Sequence, residues 1–305
     1  MRFRSLKNIW PKKKLEQFLI VFILCGLPAI YYVLVEIILP ELSDYGSSGY
    51  VFQMLLAVFL FLNVMSNYVM CILVDPSIDP KLMKNQLERG EHSEDWHKCD
   101  ECGIHAPPQS RHCRKCGVCV LKRDHHCFFT GCCIGHENYR YFFYFLIYLF
   151  LSCVISLTSS SIFIYVLHGG RYQLSMRSDR APNSSEFKNA YLNSLIIRVM
   201  YFKMPDRYEV LFTVVFVMLW IGVFVAAYVA YDQWSRSYIC YNFNLQKFPF
   251  DRKLRRNFQT FLGRRMGWTW ISGFIPSQLD HDGFHLDEEN ERVADLCSKT
   301  TIKDS

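Results

Sequence analysis

From His112 to Cys133 the chain reads HCRKCGVCVLKRDHHCFFTGCC, six cysteines and three histidines in 22 residues. Just upstream stand Cys99 and Cys102, so eight of the 13 cysteines fall between Cys99 and Cys133. Sulfurs two residues apart suit a tight turn that aims both at one metal ion. Zinc takes four such ligands in a closed structural site. Disulfides are the other use of dense cysteine, but this segment is expected to face a reducing compartment, where the same density means metal. Two zinc sites need eight donors. Cys99, Cys102, Cys113, Cys116, Cys119, Cys127, Cys132 and Cys133 with His112, His125 and His126 exceed that number. His97, His105 and His136 read as surface or packing histidines. Spacing does not say which donors are surplus, or whether the two sites follow one another or interleave.

The surplus has a use of its own. Asp124-His125-His126-Cys127 sets a carboxylate, imidazole and thiol side by side. A free thiol ionises near pH ~8.5, and an adjacent imidazole lowers that and supplies thiolate. A carboxylate on the other ring nitrogen fixes the tautomer and stabilises the imidazolium. Asp124, His125 and Cys127 provide these three roles, with the zinc ions as scaffold and Cys127 as nucleophile. Neighbouring residues point apart in a regular strand or helix, so the expected setting is an irregular loop pinned by metal.

The elements that must carry this cluster are membrane helices. Phe18–Leu39, Tyr50–Val74, Tyr141–His168 and Val210–Tyr231 are nearly continuous apolar runs. Each exceeds the ~20 residues that cross a hydrocarbon core at ~1.5 Å per residue. The first is too long for a cleavable signal and lacks a small-residue cleavage site. Lysine and arginine set the orientation. Residues 1–17 carry six, Pro40–Gly49 none, Asp75–Arg140 ten, and the chain after Asp232 eleven. Both termini and the cysteine-rich segment are therefore expected in the cytosol. The connection between the third and fourth runs carries seven, against the trend. Its lumenal placement rests on parity and on the sequon Asn183-Ser184-Ser185.

The expected fold is thus an all-α integral membrane protein of four transmembrane helices. Residues 1–17 form the cytosolic N-terminus, and 18–74 hold helices one and two. Residues 75–140 make a cytosolic zinc domain, and 141–231 hold helices three and four with a lumenal loop at 169–208. Residues 232–305 are a cytosolic tail. There Arg252, Lys253, Arg255, Arg256, Arg264 and Arg265 interleave with Phe250, Phe258, Phe261, Trp268 and Trp270, a pattern suited to an anionic bilayer surface. With spans flanking the patch, nucleic acid is not expected as a partner. From Asp280 the tail turns acidic and polar.

The string Cys99-x2-Cys102-x9-His112-Cys113-x2-Cys116-x2-Cys119-x4-Asp124-His125-His126-Cys127-x5-Cys133-x4-Asn138 resembles the cysteine-rich domain of the DHHC protein S-acyltransferases (palmitoyltransferases). The four-span layout, with that domain between spans two and three, is similar too. The resemblance implies two interleaved structural zinc sites, one of Cys99, Cys102, His112 and Cys119, the other of Cys113, Cys116, His126 and Cys133. It leaves Asp124, His125 and Cys127 as the catalytic group. Cys127 would take a fatty acyl group from acyl-CoA (palmitoyl-CoA) as a thioester. It would then pass that group to a juxtamembrane cysteine of a membrane-associated protein, on the cytosolic face of the Golgi or endoplasmic reticulum. Lys122-Arg123 and Arg111 read either as a solvated charged face or as contacts for the CoA phosphates. The chain departs from the family pattern in places. Phe128-Phe129 replaces Pro-Trp, Gly131-Cys132 replaces Asn-Asn, and Asp75-Pro76-Ser77 replaces Asp-Pro-Gly. A Thr-Thr-x-Glu element is missing from Asp232–Tyr238, and Asn257-x5-Gly263 resembles a packing motif of the family tail. A membrane-anchored zinc adaptor, or an inactive member that regulates active ones, would share the metal spacing but would not need the Asp-His-Cys group.

Overall fold

In this computed structural model the residues described are 2–79, 81, 83–84, 88, 96–107, 110–176, 216–217, 219–225, 227–229, 231 and 262–279. The sequon at Asn183, Asp232–Tyr238, Asn257 and the basic stretch through Arg256 lie outside them. The regular elements are α1 (Leu6–Ile9), α2 (Lys14–Tyr32), a π-helical turn (Val33–Ile38), α3 (Leu39–Leu42), α4 (Ser48–Leu73), strands β1 to β6, α5 (Tyr139–Met176) and α6 (Met266–Thr269).

Three described helices are long and apolar enough to cross a membrane: Lys14–Ile38, Ser48–Leu73 and Tyr139–Phe163. They fall on the first three apolar runs. For the fourth expected span, only a shorter apolar helix, Leu219–Val229, lies among the described residues. Each helix starts slightly before its apolar run, because helical hydrogen bonding continues through polar residues such as Lys14 that reach the interface. The lipid-facing sides stay apolar, with Phe18, Phe22, Phe52, Leu55 and Leu62 exposed.

The expectation of an all-α chain is corrected in the cysteine-rich segment. This segment folds as three antiparallel hairpins: β1 (His97–Cys99) with β2 (Ile104–Ala106), β3 (Arg111–Cys113) with β4 (Val118–Val120), and β5 (His125–Cys127) with β6 (Cys132–Ile134). Each hairpin begins fourteen residues after the last. Each turns through a glycine with positive φ: Gly103 at 66°, Gly117 at 71° and Gly131 at 62°. A side chain is strained there, so glycine is what the turn requires. The strands are three residues each, too short to announce themselves by alternation.

The chain divides into two compact units. One comprises Met1–Pro28, Val58–Leu149 and Ala226–Ser305, and holds the hairpins with the adjoining parts of α2, α4 and α5. In it Phe3 bridges Val74, and the Asp75 N–H donates to Arg2 O at 2.9 Å. Arg2 also pairs with the Asp75 carboxylate at 3.1 Å and donates to both oxygens of Ser77. Ile78 N–H then donates to Cys119 O at 3.0 Å, joining the end of α4 to β4. Among the described residues the hairpins bury one cluster of Ile78, Met83, Cys99, Ala106, Cys119 and Leu121 and a smaller one of Cys113, Val120 and Cys133. For a segment of about forty residues, metal staples are the usual supplement to such clusters. The other unit comprises Ala29–Ala57 and Phe150–Val225, and packs Val33, Ile38, Phe163 and Leu219 together.

Candidate functional site

The hairpin repeat determines where the donors go. In the first two hairpins the turn reads Cys-x2-Cys-Gly (Cys99–Gly103 and Cys113–Gly117), and the glycine N–H donates back to the first cysteine's carbonyl at 2.8 and 2.7 Å. That closes the turn and brings its two sulfurs together. The next hairpin supplies a histidine and a cysteine from directly opposed strand positions, His112 across from Cys119 and His126 across from Cys133. Cross-strand neighbours stand about 4.5–5.5 Å apart at Cβ, close enough to share an ion.

Two groups result. Cys99, Cys102, His112 and Cys119 form one, and Cys113, Cys116, His126 and Cys133 the other; within each, the four ligand atoms lie within 4.8 Å of one another. Each group links one hairpin's turn to the next hairpin's strands, so the two interleave along the chain. His112 Nδ1 is 3.2 Å from Cys102 Sγ, and His126 Nδ1 is 3.3 Å from Cys116 Sγ. Three sulfurs and one imidazole nitrogen are a donor set that fits zinc, with no position left over for water.

The third hairpin repeats the pattern with one change. Cys127 stands where Cys99 and Cys113 stand, Gly131 matches the turn glycine, and Thr130 takes the place of the second cysteine. Among the described residues no fourth hairpin follows to complete a third group. The surplus thiol thus occupies the place of the first metal-turn sulfur, with Thr130 where the second would stand.

The immediate surroundings of Cys127 correct the expected irregular loop. His125, His126 and Cys127 form strand β5 itself. Alternation along a strand sends His125 and Cys127 to one face and His126, between them, to the other. His126 joins the second metal group while its neighbours meet behind it. Asp124 Oδ2 lies 3.0 Å from His125 Nδ1, and the His125 ring stands 5.2 Å from Phe142.

Burial would by itself lower the His125 pKa, but hydrogen bonds to Asp124 and Cys127 outweigh it and hold the ring at about 9. Burial would raise the Cys127 pKa, but hydrogen bonds from His125 and from the side chain and backbone of Thr130 bring it below its ordinary value. Cys132, opposite Cys127 on β6, behaves in the other sense: burial pushes its thiol up to about 12. Two cysteines on one sheet face therefore differ in character. Hydrogen bonding lowers the first thiol toward ionisation, and burial raises the second away from it.

Other placements follow. Arg123 Nε donates to Cys133 Sγ at 3.5 Å, beside the second metal group. Arg111 is exposed at the start of β3, and Lys122 is half-buried with φ 43°. His97 and His105 are exposed, while His136 is buried with its N–H on Leu121 O. Phe128 and Phe129 are both partly exposed, and Lys115 Nζ sits 3.8 Å over the Phe128 ring.

Several supports escaped sequence reasoning. Tyr68 on α4, fully buried, donates to Phe129 O at 2.7 Å and so fixes the turn after Cys127. Glu16 on α2 meets His126 from behind at 3.4 Å. Thr130 carried a signal in the fourteen-residue repeat. Tyr68 and Glu16 carried none, since they come from distant helices.

The chain matches the family model described as DHHC palmitoyltransferase over residues 92–247, just over half its length. No curated protein matches it. The matched range contains the Asp124-His125-His126-Cys127 strand, both Cys/His groups and the apolar helix that follows them. The chain belongs to the DHHC palmitoyltransferase family, whose members are membrane enzymes that act as protein S-acyltransferases.

Proposed function

We propose that Cys127 is the acyl carrier of a protein-cysteine S-palmitoyltransferase, accepting a long-chain acyl group from acyl-CoA and passing it to cysteines of membrane-associated proteins. The observation that carries this reading is the strand alternation at β5. His125 and Cys127 share a face, Asp124 holds the His125 ring, and His126 is turned away toward Cys113, Cys116 and Cys133.

The steps follow from these groups. Asp124 accepts the His125 Nδ1–H, which leaves Nε2 for the thiol of Cys127. The Cys127 thiolate attacks the thioester carbonyl of acyl-CoA. A new carbon–sulfur bond forms, the bond to CoA sulfur breaks, and the departing thiolate takes the proton from imidazolium. In the second half a substrate cysteine gives its proton to His125 and attacks the Cys127 thioester, releasing Cys127 as thiolate. The acyl chain would lie in apolar space among the spans, and Arg111, Lys122 and Arg123 would face the CoA phosphates. Cys99, Cys102, His112 and Cys119, and Cys113, Cys116, His126 and Cys133, would hold two structural zinc ions that staple the hairpins.

By the lysine and arginine distribution, the site lies on the cytosolic face of an endomembrane such as Golgi or endoplasmic reticulum, and residues 169–208 lie in the lumen. Substrates are then proteins with cytosolic cysteines close to the bilayer. Two tests address the reading. Purified enzyme mixed with palmitoyl-CoA should release one burst equivalent of CoA before any peptide acceptor is added, then turn over when a lipidated cysteine peptide is supplied. Absence of a burst with turnover intact would exclude a covalent carrier. Protease added to sealed microsomes should cut within residues 75–140 and spare 169–208; the reverse pattern would overturn the topology.

A further inference from the structure

Glu16 is an acidic residue in a membrane-spanning element, yet it is only 3% exposed. A carboxylate so placed needs a partner. It sits in the first turn of α2, where the helix dipole favours a negative charge but does not require burial. Its Oε1 lies 3.4 Å from His126 Nε2, and the His126 side chain is 6% exposed. The other nitrogen of the same ring, Nδ1, faces Cys113, Cys116 and Cys133. The imidazole therefore bridges a sulfur cluster and a carboxylate that arrives from 110 residues away.

The same helix start touches the hairpin elsewhere. A Cβ placed on Gly131 would stand 2.8 Å from Pro11 Cγ and 3.1 Å from Ile20 Cδ1. The opening of the first span is thus packed against the hairpin that bears Cys127. The first metal group has a counterpart: Glu101 pairs with His112 Nε2. Glu101 comes from the same small domain, however, is 55% exposed and also faces Arg114.

We propose that Glu16 is the outer carboxylate of the second metal group, holding the His126 ring in register and tying the first membrane helix to the strand that carries His125 and Cys127. This rests on the reading of those residues as zinc ligands. A metal-bound histidine commonly donates its remaining N–H to a carboxylate, and loss of that partner weakens metal binding by about 10–100-fold. Glu16 is a positioning residue: it acts through His126 and does not meet substrate. Glu16 is buried and Glu101 is 55% exposed, so solvent screens the Glu101 contact more than the Glu16 contact.

The test is zinc release from purified full-length protein to a chromogenic chelator, with two equivalents expected in the wild type. Glu16→Gln keeps size and shape, and should release one equivalent about tenfold faster while the other keeps its rate. Glu101→Gln should speed the other equivalent, by less. Gln17→Ala removes a helix-start hydrogen bond to Pro11 O (2.8 Å) without touching His126, and should change neither. Unchanged release from Glu16→Gln would overturn the proposal. So would equal acceleration of both equivalents together with a lowered melting temperature, since that describes general loosening. A wild type without zinc would instead refute the metal reading itself.

Discussion

Asn138 offers a quantitative check on how the hairpin bearing Cys127 is held. It is fully buried, and all three of its side-chain hydrogen bonds go to backbone. Its Oδ1 accepts from Gly135 N–H at 2.9 Å. Its Nδ2 donates to Cys133 O at 3.0 Å and to Cys71 O at 3.2 Å. Cys71 lies in the last turn of α4, where carbonyls lack helical partners. One amide thus joins the end of α4, strand β6 and the start of α5. Asn138→Ala leaves one N–H and two carbonyls buried without this partner. Cys71 O keeps the Cys132 thiol as a donor at 3.7 Å, which leaves two orphaned groups; at about 1–3 kcal/mol for each, the loss should be about 2 kcal/mol or more. Against a typical stability of about 5–15 kcal/mol that is a large share. Asn138→Asp is the sharper variant. It keeps volume and the acceptor for Gly135, but turns an oxygen toward two carbonyl oxygens, so it should destabilise at least as much as alanine. The assay is denaturation of the purified protein in detergent, followed by tryptophan fluorescence and zinc release. An Asn138→Asp protein within about 0.5 kcal/mol of wild type would refute the claim that these bonds anchor the hairpin.

Cys116→Ala should lose one zinc equivalent by metal analysis and unfold more readily, because a closed structural site contributes folding energy directly. Cys127→Ser should keep both equivalents and melt like wild type; a missing equivalent there would make Cys127 a ligand. His125→Ala should slow Cys127 acylation by roughly 10²–10⁴-fold, the usual weight of a general base. Asp124→Asn should fall between His125→Ala and wild type, and an Asp124→Asn rate equal to wild type would remove Asp124 from the site. Gly131→Ala should impair stability through its positive φ and its contact with Pro11, visible as a lower melting temperature; no change would mean the turn relaxes freely.

The membrane helices were legible because hydropathy over twenty or more residues is a strong signal. Runs such as Tyr50–Val74 coincide with helices to within a few residues, whereas the π turn at Val33–Ile38 leaves no mark in hydropathy. Metal chemistry was legible from C-x2-C spacing. Which donors group together was not, since any pair can in principle meet either histidine, and the partition came from family resemblance. A physical signal did exist in the fourteen-residue repeat aligning Cys99, Cys113 and Cys127. It would have placed Cys127 and Thr130 in a third turn without a following hairpin. An irregular loop was the expected setting for Asp124, His125 and Cys127, and the structure sets the last two on a strand, because three-residue strands are too brief to betray their alternation. The supports from Glu16, Tyr68 and Asn138 depend on helices brought together from up to 110 residues apart, which local pattern does not reveal.

The central claim is that Cys127, and not its cross-strand neighbour Cys132, carries the acyl group. Purified protein should be incubated with labelled palmitoyl-CoA, denatured, and split with neutral hydroxylamine, which cleaves thioesters. The label should be present and hydroxylamine-sensitive in wild type and in Cys132→Ser, and absent in Cys127→Ser with both zinc equivalents retained. Label that persists in Cys127→Ser and disappears in Cys132→Ser would contradict the account and move the chemistry across the hairpin. Label on neither residue, with fold and zinc intact, would mean that this strand is built like an acyl carrier but does not serve as one.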